Sequence, residues 1–444
     1  MQVFGDVIFA EVQGSTNGKQ NVAMVKFKEH TAVKVESKDS GYIKWGANDN
    51  WPKDIAKKVK KNGSAVSSLR VRETVHYGNG LVLFRNETSD EGKKKIISVD
   101  LSEESEIETF LKRIKYKLFL QETIMDLEWL NIAFPEFVLS VDRKSIVSVR
   151  RQRAAWCRFA KPENGVVKKI YISSKFGESA TTDVEKNEFV SELPMLNPYL
   201  TKEEVLDYCI KNKIDRFTIP FGFPMFDESF YPEAKWHAVL ESGWLEVANS
   251  VPEYKLNIFK NQVSIKYLIE IDERYFKKIY ADQWDEYNLD KKLQIRKDLI
   301  QSITDNLSSN KNSGKSISSI MFEGDKGEQV SAVKVTAIDD KFKDGSYLPE
   351  AEAANSEVLF ALGVDPSIIG AGIPGGKLGA GSGSDKRVAF NIMQSQMKPS
   401  RDITLSILEF IQDYNGWNPT IKFGIENTVI TTLDENPTST QKGI

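Results

Sequence analysis

The chain has 444 residues, 40% apolar and 10% aromatic, enough for two or three domains with substantial cores. Its 60 basic and 63 acidic residues leave a formal net charge of -3, which excludes a protein that clamps nucleic acid by massed neutralisation of phosphates. Cys157 and Cys209 are its only cysteines, so a disulfide framework is excluded and a reducing cytosol is expected, while no apolar run approaches the ~20 residues of a membrane span.

The opening MQVFGDVIFAEVQG has neither the basic leader nor the sustained apolar core of a signal peptide. Residues 1–40 alternate apolar and polar side chains, the pattern of short strands or an extended arm. Two helices are predicted over 52–77, the first entered at Pro52 and the second, 64–77, stopped by Gly78 and Gly80. From residue 102 the text SEESEIETFLKRIKYKLFLQETIMDLEWLNIAF predicts one long amphipathic helix burying Ile107, Phe110, Leu111, Ile114, Leu118, Ile124 and Leu127, with its acidic end at the positive pole of the macrodipole.

After Pro135 the period changes to two, and residues 136–141, 146–149, 155–159 and 167–172 predict a small antiparallel sheet. Arg150, Arg151 and Arg153 form the densest basic cluster here. They read as a solvated strand face or turn, because no aromatic interleaving accompanies them. The prolines of 194–232 predict an extended, well-packed connector. A helix over 231–249 follows, begun by Pro232 and interrupted near Pro252, and then residues 253–260.

A strand is expected over 263–271 and an aromatic helix over 273–287 carrying Tyr275, Phe276, Tyr280, Trp284 and Tyr287. Residues 256–288 are too few to bury all five rings, so contact with another subunit or a partner competes with an ordinary core role. Leu289, Leu293, Ile300, Ile303 and Leu307 repeat at helical spacing, residues 306–319 are a polar break, and strands are predicted at 317–322 and 330–337.

The most distinctive stretch is 349–414. A helix opened by Pro349 and closed by Gly363 places Ala351, Ala354, Val358, Ala361 and Leu362 on one small-residue stripe. A long glycine-rich loop follows, and then a helix from Asp385 with Val388, Ile392, Met393, Met397, Ile403, Ile407, Leu408 and Ile411, kinked at Pro399. Such a loop suits an anion cradle at a helix N-terminus, and an enzyme of nucleotide or phosphoester chemistry using 370–384 is the alternative function. The spacing argues against it: Gly376-Lys377 has Ala371 where a Walker loop needs glycine and Leu378 where it needs Ser or Thr, and Gly314-Lys315 has Ser309 at the first-glycine position.

No catalytic constellation, metal set or cofactor motif is expected. His30, His76 and His237 lack metal spacing, no Gly-x-Ser-x-Gly elbow occurs, and Asp285-Glu286 and Asp339-Asp340 read as solvated surface.

The helix ending SEVLFALGVDPSIIG, the Gly/Ser-rich loop and the second helix from GSGSDKRVAF to NGW resemble the tunnel-loop region of tailed-bacteriophage portal proteins. The block KWGANDNWPKDI at 44–55, followed by a helix ending HYGNGL at 76–81, is similar to that family's Asn-aromatic-Pro entry and glycine exit. The resemblance implies an α+β portal fold: N-terminal wing at 1–230, first stem helix at 231–255, clip at 256–288, second stem helix at 289–310, C-terminal wing at 311–414 with tunnel loop 363–386, and strands and tail at 415–444. A crown is reduced or missing.

It implies a non-enzymatic homo-oligomeric ring, a dodecamer at one capsid vertex of the virion. Double-stranded DNA would pass through it, and major capsid protein, scaffold, terminase large subunit and head-tail adaptor would be its partners, with no membrane. Gly370, Gly372, Gly375, Gly376, Lys377, Gly379, Gly381 and Ser384 would face the channel with Lys386 and Arg387 at the loop's base, and Tyr275, Phe276, Tyr280, Trp284 and Tyr287 would dock partners at the clip. A near-neutral wall suits a sliding polyanion better than a basic one.

Overall fold

The computed structural model describes residues 2–4, 7–12, 20–25, 41–88, 94–178, 184, 188–223, 230–261, 267–308, 321–323, 329–337, 348–370 and 383–430. The chain divides into two compact units, Met1–Asn249 with Glu350–Ile444, and Ser250–Pro349. The fold class is α+β, with helices set among small antiparallel sheets.

The alternating text at the start gives β1 (Gln2–Phe4), β2 (Val7–Val12) and β3 (Gln20–Val25), paired in that order. Helix α1 (Trp51–Val59) carries Pro52 in its first turn, where the missing N–H has no helical partner to lose. Helix α2 (Gly63–Tyr77) is capped by Asn62, which accepts from the Ala65 amide at 2.8 Å. It stops at Gly78, where φ is +53° and a Cβ would stand 2.2 Å from the Glu426 carbonyl oxygen, so only glycine fits. Strand β4 (Gly80–Thr88) then pairs with β5 (Lys94–Val99).

The single helix expected from residue 102 is two, α3 (Ser105–Ile114) and α4 (Tyr116–Leu130), divided at Lys115 with φ +53°. The break changes the helical phase. Ile107, Phe110, Leu111, Phe119 and Leu120 meet in one core, whereas Leu118 is 53% exposed rather than buried. Strand β6 (Ile132–Leu139) follows, buried at nearly every position, and pairs with β7 (Ile146–Gln152). Strands β8 (Cys157–Phe159), β9 (Lys169–Ile172) and β10 (Ser191–Pro194) make a separate sheet in the order β10-β9-β8.

The connector expected to be extended contains α5 (Lys202–Lys211), started by a capping box in which the Thr201 hydroxyl accepts from the Glu204 amide and Glu204 accepts from the Thr201 amide. Strands β11 (Arg216–Thr218) and β12 (Phe221–Gly222) return to β6. The helix predicted from Pro232 begins later: α6 (Ala238–Glu241) is one turn, Gly243 breaks it at φ +78°, and α7 (Trp244–Asn261) runs through Pro252 without stopping.

In the second unit β13 (Tyr267–Ile271) leads to α8 (Arg274–Tyr280) and α9 (Asp282–Glu286), so the aromatic helix is broken at Ala281, φ +44°. Helix α10 (Leu289–Ser308) is followed by the hairpin β14 (Met321–Glu323) and β15 (Gln329–Ser331), and β16 (Val333–Ala337) pairs with β13.

The chain then makes α11 (Leu348–Ala361), α12 (Pro366–Ile369), α13 (Gly383–Gln396), α14 (Lys398–Asn415) and β17 (Ile421–Glu426). Pro399 lies in the first turn of α14 and separates it from α13, a full division where a kink was expected. Strand β17 pairs with β4 from Ile421↔Arg85 to Glu426↔Gly80, so sequence-distant ends share one sheet. Of the strands expected over 415–444, β17 is present, Val429 and Ile430 are not in a strand, and residues 431–444 lie outside the described residues. Leu405, Leu408 and Ile411 of α14 pack with Phe423 of β17 and with Phe137 and Phe217 of the β6 sheet.

Candidate functional site

The base of the glycine-rich loop is built from its last helical turn outward. Helix α11 buries Ala354, Val358 and Leu362 in one core with Leu69 and Val75 of α2 and with Trp236. It ends in a Schellman turn: the Val364 amide donates to the Leu359 carbonyl at 3.1 Å and the Gly363 amide to the Phe360 carbonyl at 2.9 Å. Gly363 takes φ +61° there, and the flanking Leu359 and Val364 are both buried. Asp365 then caps α12, accepting from the Ser367 amide at 2.8 Å, with Pro366 at the first helical position and Gly370 at φ +71° after the last. The Gly-Val-Asp-Pro string thus spells a helix stop followed immediately by a helix start.

A buried polar network fixes this stalk from beneath. Arg72 of α2 donates through Nη1 to the Leu362 carbonyl at 2.8 Å and through Nε to Glu128 Oε2 at 2.6 Å. Glu128, 2% exposed on α4, also meets His76 Nδ1 at 2.9 Å, and His76 Nε2 meets the Thr404 hydroxyl of α14 at 2.9 Å. Arg401 of α14 donates to the Val75 and His76 carbonyls and so caps the end of α2.

Burial pushes the Glu128 carboxyl up, but the His76 hydrogen bond and the Arg72 charge outweigh it and hold it at about 2. Burial lowers His76 against the pull of Glu128, which keeps the imidazole neutral. One carboxylate therefore joins α2, α4, α14 and the carbonyl end of the stalk.

Of the residues the sequence assigns to the loop, Gly370 is the left-handed cap just described, and Gly372, Gly375, Gly376, Lys377, Gly379 and Gly381 lie outside the described residues. Ser384 and Lys386 are exposed and Arg387 half-buried in the first turn of α13. The Gly314-Lys315 pair also lies outside the described residues. No group of three or more metal-ligating side chains occurs among the described residues, and no described helix is long and apolar enough to cross a membrane.

Residues 256–288 were expected to be too few to bury all five aromatics, and two of the five are buried. Phe276 and Trp284 are each 2% exposed, stacked with centroids 4.8 Å apart, and Tyr280 stacks on Trp284 at 5.8 Å. The break at Ala281 folds α8 against α9, which lets two short helices bury rings that one straight helix would splay. Arg296 of α10 lies 5.9 Å from both ring centres and roofs the stack. Tyr275, Tyr280 and Tyr287 remain half-buried.

The arginine cluster divides by strand alternation. Arg151 makes a two-pronged ion pair with buried Asp126, both contacts 2.6 Å, and Arg153 lies 4.5 Å over the Trp156 ring, while Arg150 faces solvent.

The 44–55 block is a turn clamped on one buried ion pair. Asp49 accepts from the Tyr42 hydroxyl and the Trp45 amide, both at 2.9 Å, and from Arg158, whose side chain is 1% exposed. Trp45 stacks between Trp51, at 5.7 Å, and Tyr231, at 4.4 Å. The sequence pattern marked this block but not its partner Arg158, nor Arg72, Glu128 and Arg401. Their only local signal is a charge on an otherwise apolar helix stripe or strand face.

No family model matches the chain, and no curated protein matches it. Among solved structures, it aligns with a chain in the neck of the native gene transfer agent particle computed with C12 symmetry, at TM-score 0.55 and 13% identity over 90% of this chain and 88% of that one. It matches a chain of the empty particle's neck, computed with C6 symmetry, at TM-score 0.54 and 13% identity over 90% and 88%. A chain from the virion of the native particle matches at 0.54 and 13% over 87% and 86%. At these identities the likeness is one of fold, and it extends through nearly the whole length of both chains.

Proposed function

We propose that this chain is the portal subunit of a phage-like particle: a homo-oligomeric ring, twelve-fold in the virion, through which double-stranded DNA is packaged and ejected. The observation that carries the reading is the fold shared over 90% of the chain with a neck chain computed with C12 symmetry. The wing is the larger unit, α7 and α10 are the stem helices, and the stacked aromatics of α8 and α9 form the clip, which docks terminase large subunit and then a head-tail adaptor. Major capsid protein and scaffold meet the wing. The stalk ending at Gly370 projects residues 371–382 into the channel, where Lys377 meets passing phosphates and the glycines let the loop yield. The chain hydrolyses nothing, and the work of packaging is done by its partner.

Imaging of the purified full chain tests this. Closed rings with a central hole, and a map with residues 371–382 lining that hole, are expected. Particles without a hole, or a loop on the outer rim, overturn it.

A further inference from the structure

Beside the buried network that holds the stalk lies a cavity of about 570 Å³, inside the range of roughly 300–1,000 Å³ typical of sites that take small molecules. Phe223, Ala234, Ala238 and Pro399 give it an apolar wall. All of its lining belongs to the larger unit of a single chain, so an occupant needs no ring in order to bind.

Three polar side chains on this cavity lack complements. Lys235 donates to the hydroxyl of Ser400 at 2.5 Å and lies 3.7 Å over the Phe223 ring, but no carboxylate pairs with it among the described residues. The acids around it are already engaged: Glu128 pairs with Arg72 and His76, and Glu233, which also lines the cavity, meets His237 Nε2 at 3.3 Å. Burial lowers the Lys235 amine to about 8 against the pull of Glu128, and the Arg72 charge adds to the fall. Asn131 is 2% exposed, and its Oδ1 is buried without a hydrogen-bond partner among the described residues. His237 Nδ1 is in the same condition. Because His237 Nε2 faces two carboxylates, Glu233 and Glu241, it carries the ring proton, which leaves Nδ1 an acceptor like Asn131 Oδ1.

We propose that the cavity binds a free α-amino acid with an apolar side chain. The carboxylate of the ligand lies against Lys235 and the Ser400 hydroxyl, its ammonium donates to Asn131 Oδ1 and His237 Nδ1 on the side where Glu233 stands, and its side chain covers the apolar wall. Water can serve the two neutral acceptors, but it opposes no charge at Lys235. An inorganic anion would answer Lys235 and leave both acceptors without a donor. A zwitterion with an apolar group matches all three features at once: an unpaired cation, two acceptors and an apolar surface.

The test is calorimetric titration of the purified full chain with L-leucine, set against leucinamide, which lacks the carboxylate, and 4-methylpentanoate, which lacks the ammonium. Saturable binding of L-leucine is expected, with each control weaker by roughly tenfold or more. Lys235→Met, checked for unchanged circular dichroism, should weaken L-leucine by a like factor. In the wild-type chain L-leucine should also shield the Lys235 amine from a limiting acylating ester, read by peptide mass spectrometry, a result that depends on no variant folding. If L-leucine does not bind saturably at millimolar concentration, or binds without shielding Lys235, the proposal is wrong. If 4-methylpentanoate binds as well as L-leucine, Asn131 and His237 read no ammonium and the amino-acid assignment falls.

Discussion

The two sides of the glycine-rich loop are held in opposite ways. On the near side, α11 buries Ala354, Val358 and Leu362 in the core it shares with α2 and is tied by Arg72 to the buried Glu128 carboxylate. On the far side, α13 buries Met393 and leaves Val388 and Ile392 bare. Among the described residues the near side is closely packed and the far side is packed through one residue.

The largest effect expected from breaking the near side is at Glu128. Glu128→Gln removes the one carboxylate that pairs with Arg72 and His76 among the described residues and leaves a largely buried guanidinium uncompensated, so unfolding free energy should fall by about 3–5 kcal/mol, read by urea denaturation at pH 7. The carboxyl is held at about 2, below its ordinary 4.5, so its contribution is fully present above pH 4.5 and is lost as pH falls toward 2. The gap between wild type and Glu128→Gln should therefore shrink through that window. A gap independent of pH would show that the network does not depend on the ionised carboxylate.

Next comes packing. Ala354 is 0% exposed in the core that α11 shares with α2 and Trp236, and Ala354→Leu should cost about 1–3 kcal/mol by overpacking it. Gly363→Ala should cost about 1–2 kcal/mol for a different reason. The added Cβ would stand 3.6 Å from Arg72, an ordinary contact, so the penalty is the left-handed backbone alone. Thermal melts of both variants rank the two terms, and an Ala354→Leu change milder than Gly363→Ala would mean that α11 is loosely seated.

Much of this architecture is legible in the sequence. Pro349 and Gly363 bracket α11 because caps and turns are local chemistry, and its small-residue stripe follows from helical period alone, whereas α12 lies inside the stretch expected to be loop. What escapes is whatever depends on one residue's backbone choice or on long-range pairing. Lys115 and Ala281 take positive φ with no glycine to announce it, so two predicted helices each became two. Pro252 lies inside a helix that was expected to stop there. Capping box Thr201–Glu204 was present but hidden among prolines and aromatics that read as an extended connector. Arg72 and Glu128 are 56 residues apart, and Arg72 reaches the Leu362 carbonyl across 290, distances that no local pattern spans.

The smallest expected effect is the one that separates the two sides most sharply. Ile392 is 53% exposed, and Ile392→Ser should leave the isolated subunit within about 0.5 kcal/mol of wild type, because a surface side chain touching little has little to lose. Thermal melts should therefore leave Ile392→Ser near wild type and set it apart from Ala354→Leu, whose enlarged side chain has no free space in the core it occupies. A subunit destabilised by more than 1 kcal/mol at Ile392 would mean that α13 already has its cover inside the chain, and the difference between the two roots of the loop would disappear.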